Sequence, residues 1–356
     1  LVAAWRQRHD EAEALAAATP RSVQSSGSQA VGAAAAFRYP LGSPREPLET
    51  RTLPGALRLV AQRAVGRAGK RKPPTAIEKV AQERDDADFH FGSARRHELL
   101  FTFDGPPVPS SPPPPRSSAE GLAGDPSAPL VPAPPPQGRP GEREAATEAS
   151  GADEAHAVLV NVSPFCAFHF LLATDLAELM PQVLTERSLA VAAEFATHFS
   201  RYLRLTFNSL GAGASVNHLH WQGMYLREQL PIERRPRRGL GWRGALRLEE
   251  VIGWPLATWV FIAPTGSSAL ELATGVFPFI KRLLEQNLAH NLCLVNNEGS
   301  LHLYVLPRRL RNFPDPTRTQ VAATEALGYW IVPSDDEYEA LTEDAAAERM
   351  AQVAAW

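Results

Sequence analysis

The chain has 356 residues, 44% of them hydrophobic, and its 36 basic and 39 acidic side chains give a formal net charge of −3. That size and apolar content support one large domain or two ordinary ones. The near-neutral balance excludes a global attraction to nucleic acid or to an anionic membrane, and no apolar run reaches the ~20 residues of a membrane helix.

The opening LVAAWRQRHDEAEALAAA has neither an initiator Met nor the basic-then-apolar order of a signal peptide, so the native N-terminus is expected upstream. Residues 19–36 are rich in Ser, Gly and Ala and read as an insertion. TRTLPGALRLVAQ and HELLFTF predict strands around a basic GKRKPP turn at 69–74. From Asp104 to Gly151 the chain holds 14 of its 32 prolines. Such a stretch has too little apolar surface to offset its ordering entropy, which predicts a disordered or polyproline-like insert. Its PxxP triplets offer weak docking to an SH3-like partner, with a passive linker as the plainer reading.

Beyond the insert, AVLVNVS and FHFLLAT predict a strand pair connected by NVSPF. Residues 182–203 carry Leu184, Val191, Phe195, Phe199 and Tyr202 at helical spacing, an amphipathic helix for that sheet. LRLTFNSL and ASVNHLHWQGMYL predict two more strands joined by a glycine turn. RRPRRGLGWRGALR, at 234–247, reads as a solvated loop rather than a nucleic-acid patch. TWVFIA predicts a strand, 268–287 a helix interrupted at Gly275 and Pro278, NLCLVNN and LHLYVLP two strands, and EYEALTEDAAAERMAQVAA a terminal helix. The order β-β-α-β-β, loosely repeated, predicts an α+β fold with helices laid on antiparallel sheet. No repeat of fixed period is visible. Cys166 and Cys293 lie in apolar runs, which predicts buried, reduced thiols and a cytoplasmic location.

SVNHLHWQGMYL (215–226) concentrates two of the ten histidines. Strand alternation sends His218, His220 and Gln222 to one face and Leu219 and Trp221 to the other. A metal would need further ligands, and no second clustered pair supplies them, so no metal and no cofactor are expected. His169, His290 and His302 read as structural. Upstream, FNSLGAGAS places Asn208, Gly211, Gly213 and Ser215 before the histidines. Glycines let a backbone approach closely and present N–H groups to an anion, and Asn and Ser add donors. Together these residues predict a phosphate cradle facing an imidazole, as nucleophilic attack on phosphorus requires.

The string N-x-x-G-x-x-x-S-V-x-H-L-H-x-Q resembles the histidine-triad superfamily, and its closing Gln resembles the galactose-1-phosphate uridylyltransferase branch. VNVSPF (160–165), FNSLGAGASVNHLHWQGMYL (207–226) and LPIE (230–233) narrow the resemblance to GDP-hexose phosphorylases. FRYPLG (37–42), ETRTLPGALRLVAQ (49–62), KRKPP (70–74), ELLF (98–101), LAHNLCLV (288–295) and YVLPRR (304–309) are similar as well. The resemblance implies two histidine-triad-like halves. Residues 1–103 would supply N-terminal strands, 104–151 the insert, 152–233 the catalytic core, and 234–356 a degenerate second half with the C-terminal helix.

It further implies GDP-hexose and inorganic phosphate as substrates, with no nucleic acid or membrane partner. His220 would be the nucleophile, His218 would orient it by hydrogen bonding, and Gln222, Asn208, Gly211, Gly213 and Ser215 would hold phosphate oxygens. FRYPLG, TLPGAL and LAHN look more like the GDP-D-glucose enzymes, whereas HLHWQ looks more like the GDP-L-galactose enzymes. The glucose reading is preferred. A nucleotide-sugar hydrolase and a non-catalytic guanine-nucleotide scaffold are the rivals.

Overall fold

The computed structural model describes residues 3–4, 6–7, 48–65, 77–85, 87–94, 98–104, 156–199, 201–311 and 319–356. The 19–36 insertion, FRYPLG, the GKRKPP turn and all of the Pro-rich insert except Asp104 lie outside the described residues.

Two short strands come first, β1 (Thr50–Thr52) and β2 (Val60–Arg63). Then follow β3 (Leu99–Phe103), β4 (His156–Val160), β5 (Phe170–Ala173), α1 (Glu186–Thr197), β6 (Leu203–Asn208) and β7 (His220–Tyr225). The same succession recurs as β8 (Arg237–Arg243), β9 (Leu246–Val251), β10 (Trp259–Ala263), α2 (Ala269–Glu285), β11 (Ala289–Asn297) and β12 (Ser300–Arg308). The chain closes with α3 (Ala323–Ala326), β13 (Tyr329–Val332), α4 (Asp335–Ala340) and α5 (Glu343–Gln352).

Ten strands form one antiparallel sheet in the order β3-β4-β5-β7-β6-β11-β12-β10-β9-β8. The two halves have the same strand order about the β6–β11 seam, and in chain order each helix is entered from the third strand of its half and left into the fourth. The α+β class and the two-half architecture therefore hold, and the duplication that is loose in the sequence is plain in the topology. β1 and β2 do not extend the first half as expected. They pair with each other and, in parallel, with β13, forming a separate three-stranded sheet.

Helices α1 and α2 share one face of the large sheet, over Phe170, Leu172, Leu205, Phe207, Trp221, Phe261, Leu292, Leu303 and Val305. Local chemistry fixes their starts: Thr185 accepts the Ser188 N–H, and Ser268 with Glu271 makes a capping box. The predicted interruption at Gly275 and Pro278 does not occur, and α2 runs through both. Gly275 is needed for close packing, since a Cβ there would lie 2.5 Å from Leu246 Cδ1. The opposite face meets Leu53, Leu59, Trp330, Met350 and other residues of the small sheet and C-terminal helices. Cys166 and Cys293 are buried and not disulfide-bonded.

Two further expectations change. RRPRRGLGWRGALR is not a loop: it forms β8 and the start of β9, turning at Gly244 with φ +59°. Its arginines and exposed Trp242 hid a two-sided polar edge strand. The terminal helix is split into α4 and α5, because Leu341 is extended and Thr342 caps a new helix. Among the described residues no helix is long and apolar enough to cross a membrane.

Candidate active site

β7 begins at His220 and not earlier, so His218 lies in the bend before the strand. Trp221 points into the helix-side core, where its indole N–H donates to Ser188 Oγ at 3.1 Å. Alternation then turns His220 and Gln222 to the opposite face. The His220 ring is buried, and its Nδ1 lies 2.7 Å from the His218 carbonyl oxygen. A carbonyl only accepts, so Nδ1 carries the proton and Nε2 keeps its lone pair. Nε2 makes no hydrogen bond among the described residues. Burial pulls the imidazole down to about 4, against the opposing effect of that backbone hydrogen bond. The ring is therefore neutral at physiological pH and presents a nucleophilic nitrogen.

The orienting hydrogen bond comes from the backbone of His218 and not from its side chain, as the resemblance had implied. The His218 ring faces elsewhere. Its Nδ1 accepts the Phe91 N–H at 2.9 Å, and it stacks on the Phe91 ring at 5.3 Å. Phe91 also sets its edge against His220 at 4.9 Å. Burial, then His220, His90 and Arg84, lower His218 to about 3, so it too is neutral.

Asn208 ends β6. Its Oδ1 accepts from Asn291 Nδ2 and from the Ala323 N–H, each at 2.8 Å. With Oδ1 used, Nδ2 is left as a donor that no described residue engages. Asn291 is in turn held by the buried Arg308, whose Nη1 donates to Asn291 Oδ1 at 2.6 Å. Burial lowers Arg308 to about 9, which still leaves it cationic at neutral pH, and Glu325 opposes that shift. A buried positive charge thus stands one residue behind Asn208.

The glycine turn is tighter than an open cradle. Ala212 and Ala214 N–H groups both close on the Ser209 carbonyl, at 3.0 and 3.4 Å. Gly211 (φ +73°) and Gly213 (φ +105°) occupy left-handed backbone, where a Cβ would meet Leu310 at 2.3 Å and Ala322 at 2.6 Å. These glycines admit the C-terminal segment that brings Ala323 to Asn208. Ser215 is exposed and makes no hydrogen bond among the described residues, outside the network that joins Asn208 to His220.

Gln222 sits with its Oε1 3.3 Å from Nε2 of the buried His169, and its amide NH2 makes no hydrogen bond among the described residues. His169 is a structural support, as expected. His290, also read as structural, is buried beside the seam and lowered by burial to about 4. Among the described residues no cluster of three or more His, Cys, Asp or Glu is arranged to hold a metal.

Gln182 escaped the sequence reading. Fully buried, it donates to the Asn208 carbonyl at 2.8 Å and the His220 carbonyl at 3.1 Å, and accepts the His220 N–H at 2.8 Å. One side chain thus ties the His220 backbone on β7 to the end of β6. Gln182→Leu is expected to lower kcat by about 10²-fold with KM nearly unchanged, the scale of a misplaced reacting group. Steady-state kinetics on the folded variant checks this.

A pH effect on stability also arises here. His218, His220 and His290 fall to about 3, 4 and 4 in the folded chain, from 6.5 when unperturbed. The unfolded chain therefore binds more protons between roughly pH 6.5 and 4, so stability rises with pH across that window and is lost as pH falls. Each fully titrating imidazole contributes up to about 1.4 kcal/mol per pH unit. Melting temperature should drop steeply below about pH 6, and an unchanged melting curve there would refute buried neutral histidines.

Residues 136–224 match the family described as GDPGP1-like, N-terminal domain, and residues 231–355 match GDPGP1-like, C-terminal domain. The chain is 31% identical over 324 residues to human GDP-D-glucose phosphorylase 1, covering 87% of this chain and 73% of that protein. It is 28% identical over 330 residues to GDP-L-galactose phosphorylase 1 of Arabidopsis thaliana, covering 89% of this chain and 66% of that protein. Among solved structures, yeast Ap4A phosphorylase Apa2 in complex with AMP aligns with a TM-score of 0.47 and 19% identity, over 58% of this chain and 74% of that one. With identity to the human protein sustained across nearly three quarters of that protein's length, and both family domains found in order, this chain belongs to the GDPGP1-like family.

Proposed function

We propose that the chain is a GDP-hexose phosphorylase, a nucleotidyltransferase acting on GDP-D-glucose with His220 as its nucleophile. His220 Nε2 attacks the α-phosphorus. A P–N bond forms while the bond from that phosphorus to the bridging oxygen breaks, and hexose 1-phosphate leaves with the bridging oxygen. Inorganic phosphate then attacks the same phosphorus, the P–N bond breaks, and GDP departs. The leaving hexose phosphate is a stable anion, so the step needs no strong general acid. Gln222 suits this, since an amide donates hydrogen bonds without giving up a proton. Asn208 Nδ2 and the Gln222 NH2 are the donors for the non-bridging oxygens, with the Arg308 charge behind them.

The observation that carries the reading is the His220 Nδ1–His218 carbonyl hydrogen bond, which commits Nε2 to nucleophilic use. The names of the human and plant relatives support the substrate class. GDP-L-galactose is the alternative hexose donor. Products from GDP-D-glucose and GDP-L-galactose, each with and without inorganic phosphate, test all of this. GDP formed only with phosphate supports phosphorolysis, and the faster sugar names the donor. GMP formed without phosphate means hydrolysis, and nucleotide binding without turnover means a scaffold.

A further inference from the structure

The seam defines an internal two-fold axis. β6 and β11 pair antiparallel about a central pair, Thr206 opposite Cys293. Across from Thr206 on β7 lies Gln222, and across from Cys293 on β12 lies Tyr304. The axis therefore carries Gln222 onto Tyr304 and His220 onto His302. The local sequences agree, Leu-His-Trp-Gln at 219–222 and Leu-His-Leu-Tyr at 301–304. At the point equivalent to the His220 site, where β11 ends and β12 begins, there is a cavity.

This cavity measures about 340 Å³ and is lined by His302, Tyr304, five arginines and two glutamates. Its chemistry has diverged. Asn208 is replaced by Val295, and the glycine turn by a tight Glu298–Gly299 reversal. His302 is held in the other tautomer, because its Nδ1 faces a guanidinium nitrogen of Arg237 at 3.4 Å. Arg237 only donates, so the proton sits on His302 Nε2. The nitrogen that is a lone pair in the first half is thus an N–H donor in the second.

The arginines set the sign of the cavity. Arg204 is neutralised by Glu233, with Nε 3.0 Å from Oε1. Arg237 shares Glu249 at 3.6 Å, lies over the Tyr304 ring and donates to its hydroxyl. Arg234 meets the exposed Glu228 at 3.2 Å and Arg201 the exposed Glu298 at 3.6 Å, pairs that solvent screens. Arg227 pairs with no carboxylate among the described residues. A cavity of ligand size with surplus guanidinium charge and an imidazole N–H suits a phosphate group.

We propose that this cavity is a second, non-catalytic site for a phosphate-bearing small molecule. It keeps the position of an active centre and has exchanged nucleophile for donor. Inorganic phosphate, hexose 1-phosphate and GDP share the required chemistry, and each is a separate arm of the test.

The test is binding stoichiometry, which does not depend on turnover. Inorganic phosphate, glucose 1-phosphate and GDP are titrated one at a time by calorimetry into the whole chain. The variants are Arg237→Met and the exposed pair Arg227→Glu with Arg234→Glu. The exposed pair lies on the rim, so it keeps the test open if Arg237→Met fails to fold. For at least one probe, wild type should bind two molecules per chain. The second site should weaken at least about tenfold in the variants, as losing charge-assisted contacts to a phosphate implies. The probe showing this identifies the source of the phosphate. One site per chain for all three probes would overturn the proposal, as would two sites that the substitutions leave unchanged.

Discussion

His220→Ala should lower kcat by about 10⁴-fold or more, because no other described group can take the nucleophile's place. His218 is the nearest imidazole, yet its Nδ1 is occupied by the Phe91 N–H and its ring is stacked on Phe91. The variant should nevertheless fold, since leaving the His218 carbonyl without its donor costs only about 1–3 kcal/mol. A second readout separates chemistry from binding. Wild type given GDP-D-glucose without phosphate should accumulate an acid-labile guanylyl adduct, one per chain, and the variant none. Retention of the adduct in His220→Ala would remove His220 from the reaction.

The largest expected loss of stability comes from the pair beneath β6. Arg204 and Glu233 are buried, with side-chain exposures of 2% and 7%, and meet through Nε–Oε1 at 3.0 Å and Nη2–Oε2 at 3.2 Å. Arg204 also donates to the Leu226 carbonyl at 2.7 Å, and Glu233 accepts the Leu230 N–H at 3.0 Å. Glu233→Ala strands a guanidinium away from water, which should cost about 3–5 kcal/mol. For a chain of this size that is a fall in Tm of about 4–7 °C. The double variant Arg204→Met with Glu233→Leu should recover most of the loss, since it removes both charges together. Melting curves for the two variants decide the point, and a stable Glu233→Ala would show the pair to be dispensable.

Periodicity made the β-β-α-β-β order and the strand carrying His220 legible, because Leu219 and Trp221 alternate with polar neighbours. The spacing of Asn208, Gly211, Gly213 and Ser215 also marked the turn, though not its purpose. Gly211 and Gly213 serve contacts to Leu310 and Ala322, more than a hundred residues downstream in the case of Ala322. Gln182 and Phe91 left no local signal, since each acts on a residue far along the chain, while Asn291 and Arg308 sit in LAHNLCLV and YVLPRR, strings that carried the resemblance without assigning them a role. β8 was lost because an edge strand with both faces in water carries no apolar alternation. The internal symmetry was only loosely visible in the element order, because it is kept by register while its residues have changed, Asn208 against Val295 and Gln222 against Tyr304.

The hydrogen bond from the Ala323 N–H to Asn208 Oδ1 spans 115 residues. During synthesis His220 leaves the ribosome long before Asn291, Arg308 and Ala323 exist. Such distant contacts form late in folding, so the surroundings of Asn208 and His220 are among the last parts of the molecule to be completed. A chain that stops short of α3 would carry His220 without the shell that aims it, and incomplete products should be inert toward nucleotide sugars.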